Sequence, residues 1–410
     1  MPSVGSLILR QCLGSGKVTF LLRSLRYASG SLLASLSSLS LRTAWVVVLG
    51  SPLSDAQWQL ASLPIRMGGL GAQDPVHIHP QAAVSSLILA AKHSATTGIT
   101  CPRFPLELRE ALLALRTSAR ALGSELTQSL SASSLAGILL HPLLDSWDSQ
   151  RAWTAAVDEA SAFRWDSEAS DRLARLRQVQ SGAHCWDWPT RFPGPPHAEL
   201  HFTAPEWQAL LRFRLGAPFA VAGSCSECAG PLDPFGDHAL CALSGLHARH
   251  NRLRYPFRDE VLAAGLACRT EVAIPGSSER PADVLLHVPD QPAPLAVDVS
   301  LVHPLRPSLA EDAAGRAASQ RELAKEQLYS SPCKAVGWGF RPCAVETTGA
   351  WGPSGRRLVR MLTRRQSMRL GVPVKEVAAG VCGHLSATAA QGCGTMLVRA
   401  YGLGEAGCLS

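Results

Sequence analysis

The chain has no long hydrophobic run. No stretch of about 18 uncharged apolar residues, the length of a membrane span, occurs in the sequence, and the most apolar N-terminal segment, Leu32 to Leu49, is interrupted by serines and by Arg42. The first residues contain no basic segment followed by an apolar core, which is the pattern of a secretory signal. The sequence therefore predicts no membrane partner and no export.

Closely spaced cysteines and charged residues are also sparse. Twelve cysteines are spread along 410 residues, and only Cys225 and Cys228 are separated by two residues, so a disulfide scaffold is not predicted. Charged residues make up 17% of the sequence and hydrophobic residues 46%, proportions that are typical of folded proteins. The formal net charge of +7 is compatible with a polyanionic partner but does not require one.

The predicted organisation has five parts. Apolar residues that recur at three- and four-residue steps predict a mainly helical region over residues 1–140, with a sharp glycine-rich turn at Leu63 to Gly71. The parts that follow are a helical linker over 141–218, a small zinc knuckle over 219–246, an α/β domain over 247–365 and an unassigned tail over 366–410.

Helix and strand patterns alternate in the predicted α/β domain. The order is one helix, three strands, a second helix and a fourth strand, which is typical of an α/β fold. The predicted helices are His247–Leu266 and Leu309–Tyr329, and the predicted strands are Ala267–Ile274, Asp283–Val288, Leu295–Leu301 and Lys334–Val345.

Four residues have the spacing of a zinc site: Cys225, Cys228, His238 and Cys241. A Cys-x2-Cys hairpin presents two thiolates to one ion, and a His and a Cys from a following helix can complete a tetrahedron. Sulfur and imidazole ligands in a closed site favour structural Zn²⁺. Two alternatives stay open: chance clustering of buried cysteines, and replacement of His238 by His247 or His250.

Two aspartates predict a second metal site. Asp298 interrupts the apolar strand Leu295–Ser300, where a carboxylate is costly unless it binds something. Asp283 lies in the preceding strand, and carboxylates on adjacent strands can reach one ion. Hydrolysis of a phosphodiester needs a divalent metal that activates water, and Mg²⁺ prefers carboxylate oxygens. Taken alone, Asp283 equally suits a turn at a strand edge.

Basic residues complete the predicted site. Lys325 and Tyr329 are four residues apart and share a helix face, where a cation can stabilise charge on a phosphate. Glu260, in the preceding helix, can supply a further carboxylate, although each of these residue types is also common on surfaces. A set of arginines near the C-terminus predicts either phosphate contacts or a solvated helix face: Arg356, Arg357, Arg360 and Arg364.

Together these motifs resemble the C-terminal region of non-LTR retrotransposon proteins that carry a restriction-like endonuclease. The resemblance covers roughly residues 10–365, and its early part looks like the thumb and linker behind a reverse transcriptase core. Its later motifs are Leu210–Pro218, Gly236-Asp237-His238 with Cys241, Arg249-His250-Asn251, Arg280-Pro281-Ala282-Asp283, Asp298-Val299-Ser300, Lys325 with Tyr329, and Glu346 to Gly352.

The resemblance implies a PD-(D/E)XK restriction-endonuclease-like fold. It also implies an enzyme that nicks DNA, with Mg²⁺ held by Asp283 and Asp298. Lys325 would replace a lysine that other members have two residues after the second acid, where this chain has Ser300. Arg249 and His250, at the start of the nuclease, are expected to contact nucleic acid. The implied partners are DNA and the element's RNA, and the implied location is the nucleus.

No palm region and no paired-aspartate polymerase signature are present. We therefore expect a truncated element without polymerase activity, with a reverse transcriptase supplied elsewhere. Two other functions compete with the metal-dependent endonuclease. One is a zinc-dependent nucleic-acid-binding module, or a decayed relic, in which the acids are structural. The other is a metal-free helical interaction protein.

Overall fold

A computed structural model describes most of the chain as two compact units. The units divide between Ala174 and Arg175, and Ile65–Gly68 belongs to the second. The predicted boundary at residue 140 lies outside the described residues, and the boundary at 218 falls within the second unit. The described residues are 15–98, 104–118, 150–182, 184–185, 187–188, 201–219, 223–225, 229–241, 246–289, 291–306 and 313–403.

The first unit is helical in the part of the chain that the structure describes. Its elements are α1 (Ser15–Ser24), α2 (Tyr27–Leu49), α3 (Asp55–Ser62), α4 (Pro75–Thr97), α5 (Phe104–Ser118) and α6 (Gln150–Glu168), and α7 (Asp171–Val179) crosses the boundary. One core cluster joins Val84 and Ile88 of α4 to Leu108 of α5 and Val157 of α6. These contacts agree with the predicted helical region.

The glycine-rich segment after α3 is the predicted sharp turn. The backbone N–H groups of Leu70 and Ala72 both donate to the carbonyl of Ala61, at 3.1 and 3.0 Å. A Cβ atom on Gly69 would lie 2.0 Å from the Leu63 carbonyl oxygen, so no larger residue fits. Glycine is needed here because backbone approaches backbone.

Helix α2 is long and apolar enough to cross a membrane. Its most apolar 18-residue window has a mean hydropathy of 1.6, and 28% of that window is buried. The sequence analysis predicted helix here but no membrane span, because the serines and Arg42 counted as interruptions. Arg42 instead forms an ion pair with Asp55 at 2.8 Å. Signal sequences and the core helices of soluble proteins share this length and composition.

The second unit contains a four-stranded mixed sheet. Its elements are α8 (Ala204–Arg214), α9 (Asp237–Cys241), α10 (Leu246–Ala263), β1 (Ala267–Val272), β2 (Ala282–His287), β3 (Leu295–Val302), α11 (Arg316–Ala335), β4 (Gly339–Glu346), α12 (Pro353–Leu370) and α13 (Val374–Tyr401). The strand order is β1-β2-β3-β4; the first two pairings are antiparallel, and β3 and β4 are parallel. Helix α11 is the crossover that a parallel pair requires.

Helices cover both faces of this sheet. Phe257 of α10, Leu358 of α12 and Leu385 of α13 join Val284 and Val297 in the largest core cluster. The opposite face packs against α11, where the clusters contain Ala282, Leu285, Ala296, Cys333, Val302, Ala317, Ala318 and Ala344. The predicted α/β order of helices and strands is therefore observed, with the sheet as the middle layer.

The bounds of α11 and the start of β4 differ most from the prediction, and α11 begins at Arg316 rather than at Leu309. Helix α11 continues past Tyr329 and through Pro332 to Ala335, so β4 begins at Gly339 rather than near Lys334. Gly337, with φ of 74°, makes the turn between them. The tail, which the sequence pattern left unassigned, contains α13, a helix without a clear apolar stripe because most of its length is buried.

A buried carboxylate fixes the start of α11. The residue that precedes this helix, Gly315, has no side chain to cap it. Glu346 at the end of β4 accepts hydrogen bonds from the backbone N–H groups of Ala317 and Ala318, at 2.9 and 3.3 Å. Burial raises the pKa of Glu346 to about 7, although these N–H donors oppose the rise. The anion matches the positive end of the helix dipole.

We expect Glu346 to make the stability of the protein pH-dependent. The pKa of Glu346 in the folded state lies above the ordinary value of 4.5, so folding favours its protonated form. The resulting contribution to the free energy of unfolding is complete below pH about 4.5 and is lost as the pH rises through about 7. The shift corresponds to about 3 kcal/mol of unfolding free energy. Urea denaturation at pH 5 and pH 8.5 should show this loss, and Glu346→Gln should reduce it. An equal pH dependence in both proteins would contradict the assignment.

Candidate functional site

Asp283 and Asp298 lie where β2 and β3 separate. The antiparallel register ends at Val284 opposite Val297, and Asp283 and Asp298 would form the next pair. Instead, Oδ2 of Asp283 accepts a hydrogen bond from the backbone N–H of Val299 at 2.7 Å. A side chain thus takes the place of a ladder hydrogen bond, and the two aspartates lie where the pairing ends, near the start of β2 and in the middle of β3.

Asp298 is held by two side chains. The hydroxyl of Ser300 donates to Oδ1 at 2.7 Å, and Nζ of Lys325 donates to Oδ2 at 2.7 Å. The Asp298 side chain is only 7% exposed. Burial raises the pKa of Asp298, Lys325 opposes the rise, and the negative charge of Asp283 adds to it. A buried carboxylate beside a second carboxylate favours the binding of a cation.

Lys325 reaches Asp298 from α11, the helix that packs on the sheet face opposite α10, α12 and α13. Its Nζ atom also lies 5.1 Å from the ring centroid of Tyr329, within the range of a cation–π contact. Tyr329 in turn packs against Phe340 of β4, with ring centroids 5.7 Å apart. The four-residue spacing therefore places the two side chains on one face, as predicted, and Tyr329 supports Lys325.

His250 contacts Asp283, although the sequence analysis predicted that it contacts nucleic acid. Its Nε2 atom lies 3.1 Å from Oδ2 of Asp283 and 2.8 Å from the carbonyl oxygen of Val299. The hydrogen bond with Asp283 raises the pKa of His250, against the effect of burial. His250 therefore orients Asp283 at the site. Nothing in the local sequence pattern indicated which of Arg249 and His250 would face the strands.

Two predicted site residues lie elsewhere. Glu260 is buried, and its carboxylate contacts Nδ1 of His384 at 2.6 Å and Nε2 of Gln366 at 2.7 Å, so the prediction that it joins the aspartates is wrong. Arg249 is also buried and donates to the carbonyl of Leu240 at 2.9 Å. Its guanidinium group is engaged inside the protein, which corrects the prediction that it contacts nucleic acid.

The predicted zinc knuckle is described in part. The Cys225 N–H donates to the carbonyl of Gly230 at 2.7 Å, and the Ala229 N–H donates to the carbonyl of Cys225 at 2.9 Å, so Cys225 lies beside Ala229 and Gly230. His238 and Cys241 lie on α9, three residues apart and therefore on one face. Cys228 lies outside the described residues, so zinc binding by this set stays a prediction.

A different group of potential metal ligands is assembled elsewhere in the second unit. Among the described residues, His184, Asp187 and Cys382 each place one ligand atom within 4.8 Å of the other two. That group does not include the knuckle residues. Sequence reasoning missed it because Cys382 is far from His184 along the chain, and no spacing rule links them.

The arginines of α12 lie on the surface. This helix contains no acidic residue, and its exposed face carries Arg356, Arg357, Arg360 and Arg364. A shallow groove on this face is lined by Arg357, Arg360, Met361, Arg364, Arg365 and Met368. Closely spaced guanidinium groups without intervening acids favour polyanions such as a phosphate backbone.

The site at the end of β2 and β3 thus combines two carboxylates, an ammonium group and an imidazole. Carboxylate oxygens are ligands for hard divalent cations, and an adjacent ammonium group can stabilise an anionic substrate or transition state. No protein-family model matches this chain, and no curated protein shows significant similarity to it.

Proposed function

We propose that the chain is a Mg²⁺-dependent DNA endonuclease with a restriction-endonuclease-like PD-(D/E)XK domain. The observation that carries this proposal is the convergence of Asp283, Asp298 and Lys325 where β2 and β3 separate. The strand order and the α11 crossover are compatible with this fold. Lys325 also suits the role of the lysine that is missing after the second acid, because its Nζ atom reaches Asp298 from another element.

The donor set fits Mg²⁺. Both hydrogen bonds described for the Asp283 carboxylate involve Oδ2, which leaves Oδ1 for a cation in the described part of the chain. Asp298 is buried beside this second negative charge, and a divalent cation would relieve their repulsion. Asp283 and Asp298 would therefore hold the ion. When bound, Mg²⁺ would lower the pKa of an attacking water and offset charge on the phosphate.

The surrounding side chains would prepare the two acids for this reaction. His250 and the Val299 N–H fix the orientation of Asp283, and the Ser300 hydroxyl fixes that of Asp298. In the described structure Lys325 neutralises Asp298. Once a cation takes over that role, the Lys325 ammonium group would be able to stabilise charge that develops on the phosphate.

The partner in this proposal is DNA. The exposed arginines of α12 would contact phosphates along the backbone, which provides affinity without sequence specificity. The knuckle would be a structural zinc module. A reverse transcriptase that extends the nicked strand on the element's RNA would be supplied elsewhere, and the site of action would be the nucleus.

Nicking of supercoiled plasmid tests the proposal. We expect the purified protein to convert supercoiled plasmid to the open circular form with Mg²⁺ or Mn²⁺, and EDTA to stop the reaction, because the water must be activated by the metal. A gel-shift assay with the same DNA would measure binding separately. A folded protein that binds DNA but leaves the plasmid intact with both metals would favour the binding module, for which the α12 arginines are the supporting observation.

A further inference from the structure

We propose that His184, Asp187 and Cys382 form a Zn²⁺ site that is separate from both the knuckle and the proposed catalytic site. One ligand atom from each residue lies within 4.8 Å of the other two. His184 and Asp187 belong to the segment 184–188, and Cys382 belongs to α13. The ion would join two parts of the chain that are far apart in sequence.

The geometry is close to that of a zinc centre. Nδ1 of His184 lies 3.0 Å from Oδ2 of Asp187. Zinc bonds of about 2.0 to 2.3 Å place neighbouring ligand atoms of a tetrahedron about 3.3 to 3.8 Å apart. Atoms separated by 3.0 to 4.8 Å therefore need to move by no more than about 1 Å to bind one ion. Rotation of the His184 and Asp187 side chains can supply such movements.

The donor set points to zinc rather than to Mg²⁺ or Ca²⁺. Nitrogen and sulfur ligands select borderline and soft metals, whereas Mg²⁺ and Ca²⁺ prefer sets made entirely of oxygen. Three protein ligands leave one tetrahedral position, which a water molecule can fill. The exposure of the ligands agrees with this arrangement, because Cys382 is buried whereas the His184 side chain is 42% exposed. Zinc would thus be reached from solvent on the His184 side.

The backbone around His184 is constrained as a ligand segment should be. His184 has φ of 68°, in the left-handed region that residues other than glycine rarely adopt, so the surrounding structure must hold it there. The adjacent Cys185 is 2% exposed. The Trp188 N–H donates to the Ser386 hydroxyl, one turn beyond Cys382 on α13, at 3.3 Å. The segment is therefore already anchored to the helix that carries the third ligand.

A zinc ion at this place would fasten the segment 184–188 to α13. The Trp188 ring packs edge to face against Trp207 of α8, with centroids 4.6 Å apart. The ion would thereby stabilise the junction of the segment with two helices of the second unit. The burial of Cys382 argues against the alternative in which these residues form a nucleophilic Cys-His-Asp group, because a substrate would need to reach the thiol.

The test measures zinc in the full chain after dialysis against metal-free buffer with Zn²⁺ added back. We expect Cys382→Ser and Asp187→Ala each to lower the zinc content by about one equivalent. Cys393→Ser, which alters another buried cysteine of α13, is the matched control and should retain the wild-type content. With Co²⁺ in place of zinc, both variants should lose the charge-transfer absorption of one thiolate, because neither retains the ion at Cys382, whereas Cys393→Ser should keep it.

His184, the most exposed of the three ligands, provides a second variant. If Cys382→Ser does not fold, His184→Ala provides the same test, because the His184 side chain is 42% exposed and its loss disturbs the core less than a change at the buried Cys382. Circular dichroism would establish that each variant is folded. The proposal is overturned if the folded His184 and Asp187 variants have the zinc content and Co²⁺ spectrum of the wild type and of Cys393→Ser.

Discussion

Replacement of Asp298 by asparagine should abolish plasmid nicking, with a loss of at least about 1,000-fold in rate. Asparagine preserves the shape of the side chain but removes the charge that holds a cation and pairs with Lys325. The fold should survive, because burial already makes the Asp298 charge costly, as the raised pKa indicates. DNA binding should also survive, because the α12 arginines are unchanged.

Asp259→Asn is the matched control for this experiment. Asp259 lies on α10, its side chain is 49% exposed, and it pairs with the neighbouring Arg258. Its loss should change nicking by less than about twofold, since exposed ion pairs contribute little. If Asp298→Asn cuts plasmid within a few-fold of the wild-type rate, Asp298 does not hold the catalytic metal, and the proposed site is wrong.

Truncation of Glu322 to alanine should cost about 4 kcal/mol of unfolding free energy. This buried carboxylate accepts hydrogen bonds from three backbone N–H groups: Ser354 and Gly355, each at 2.8 Å, and Ala344 at 3.2 Å. The first two belong to the start of α12, where Gly352 provides no side-chain cap. Alanine would leave all three donors buried without this acceptor, at about 1 to 3 kcal/mol each.

Urea denaturation measures this loss. The matched control is Glu326→Ala, an exposed glutamate one turn further along α11, which should cost no more than about 0.5 kcal/mol. Ser330 donates to Glu326 at 2.8 Å, so the control also removes a hydrogen bond, but an exposed one. Equal losses in the two variants would contradict the role assigned to Glu322.

The order of elements around the site could be predicted because its signals are local. Short apolar runs, turn-forming residues between them and an acid inside an apolar strand predicted β2, β3 and the position of Asp298. The spacing of Lys325 and Tyr329 predicted their shared helix face. The local pattern could not specify which α11 side chain would contact Asp298, because that contact depends on how the helix crosses the sheet.

The failed predictions concern side chains whose partners come from distant elements. Glu260 meets His384 on α13, a helix whose glycine- and alanine-rich sequence gave no amphipathic signal. Arg249 and His250 are adjacent, but successive residues of a helix point about 100° apart. Because several elements surround α10, its sequence did not indicate which residue would face the strands and which would face α13.

The two buried glutamates have a consequence for the order in which the polypeptide acquires structure on the ribosome. Helix α11 emerges before Glu346, and Glu322 emerges before the N–H groups of Ser354 and Gly355 that it binds. Glu346 can bind its α11 donors only once β4 is complete, and Glu322 can bind Ser354 and Gly355 only once the chain has been made as far as α12. Premature termination within β4 would therefore leave α11 without its anion and Glu322 without two donors. Such a nascent fragment would be a target for chaperones or proteolysis rather than a smaller folded protein.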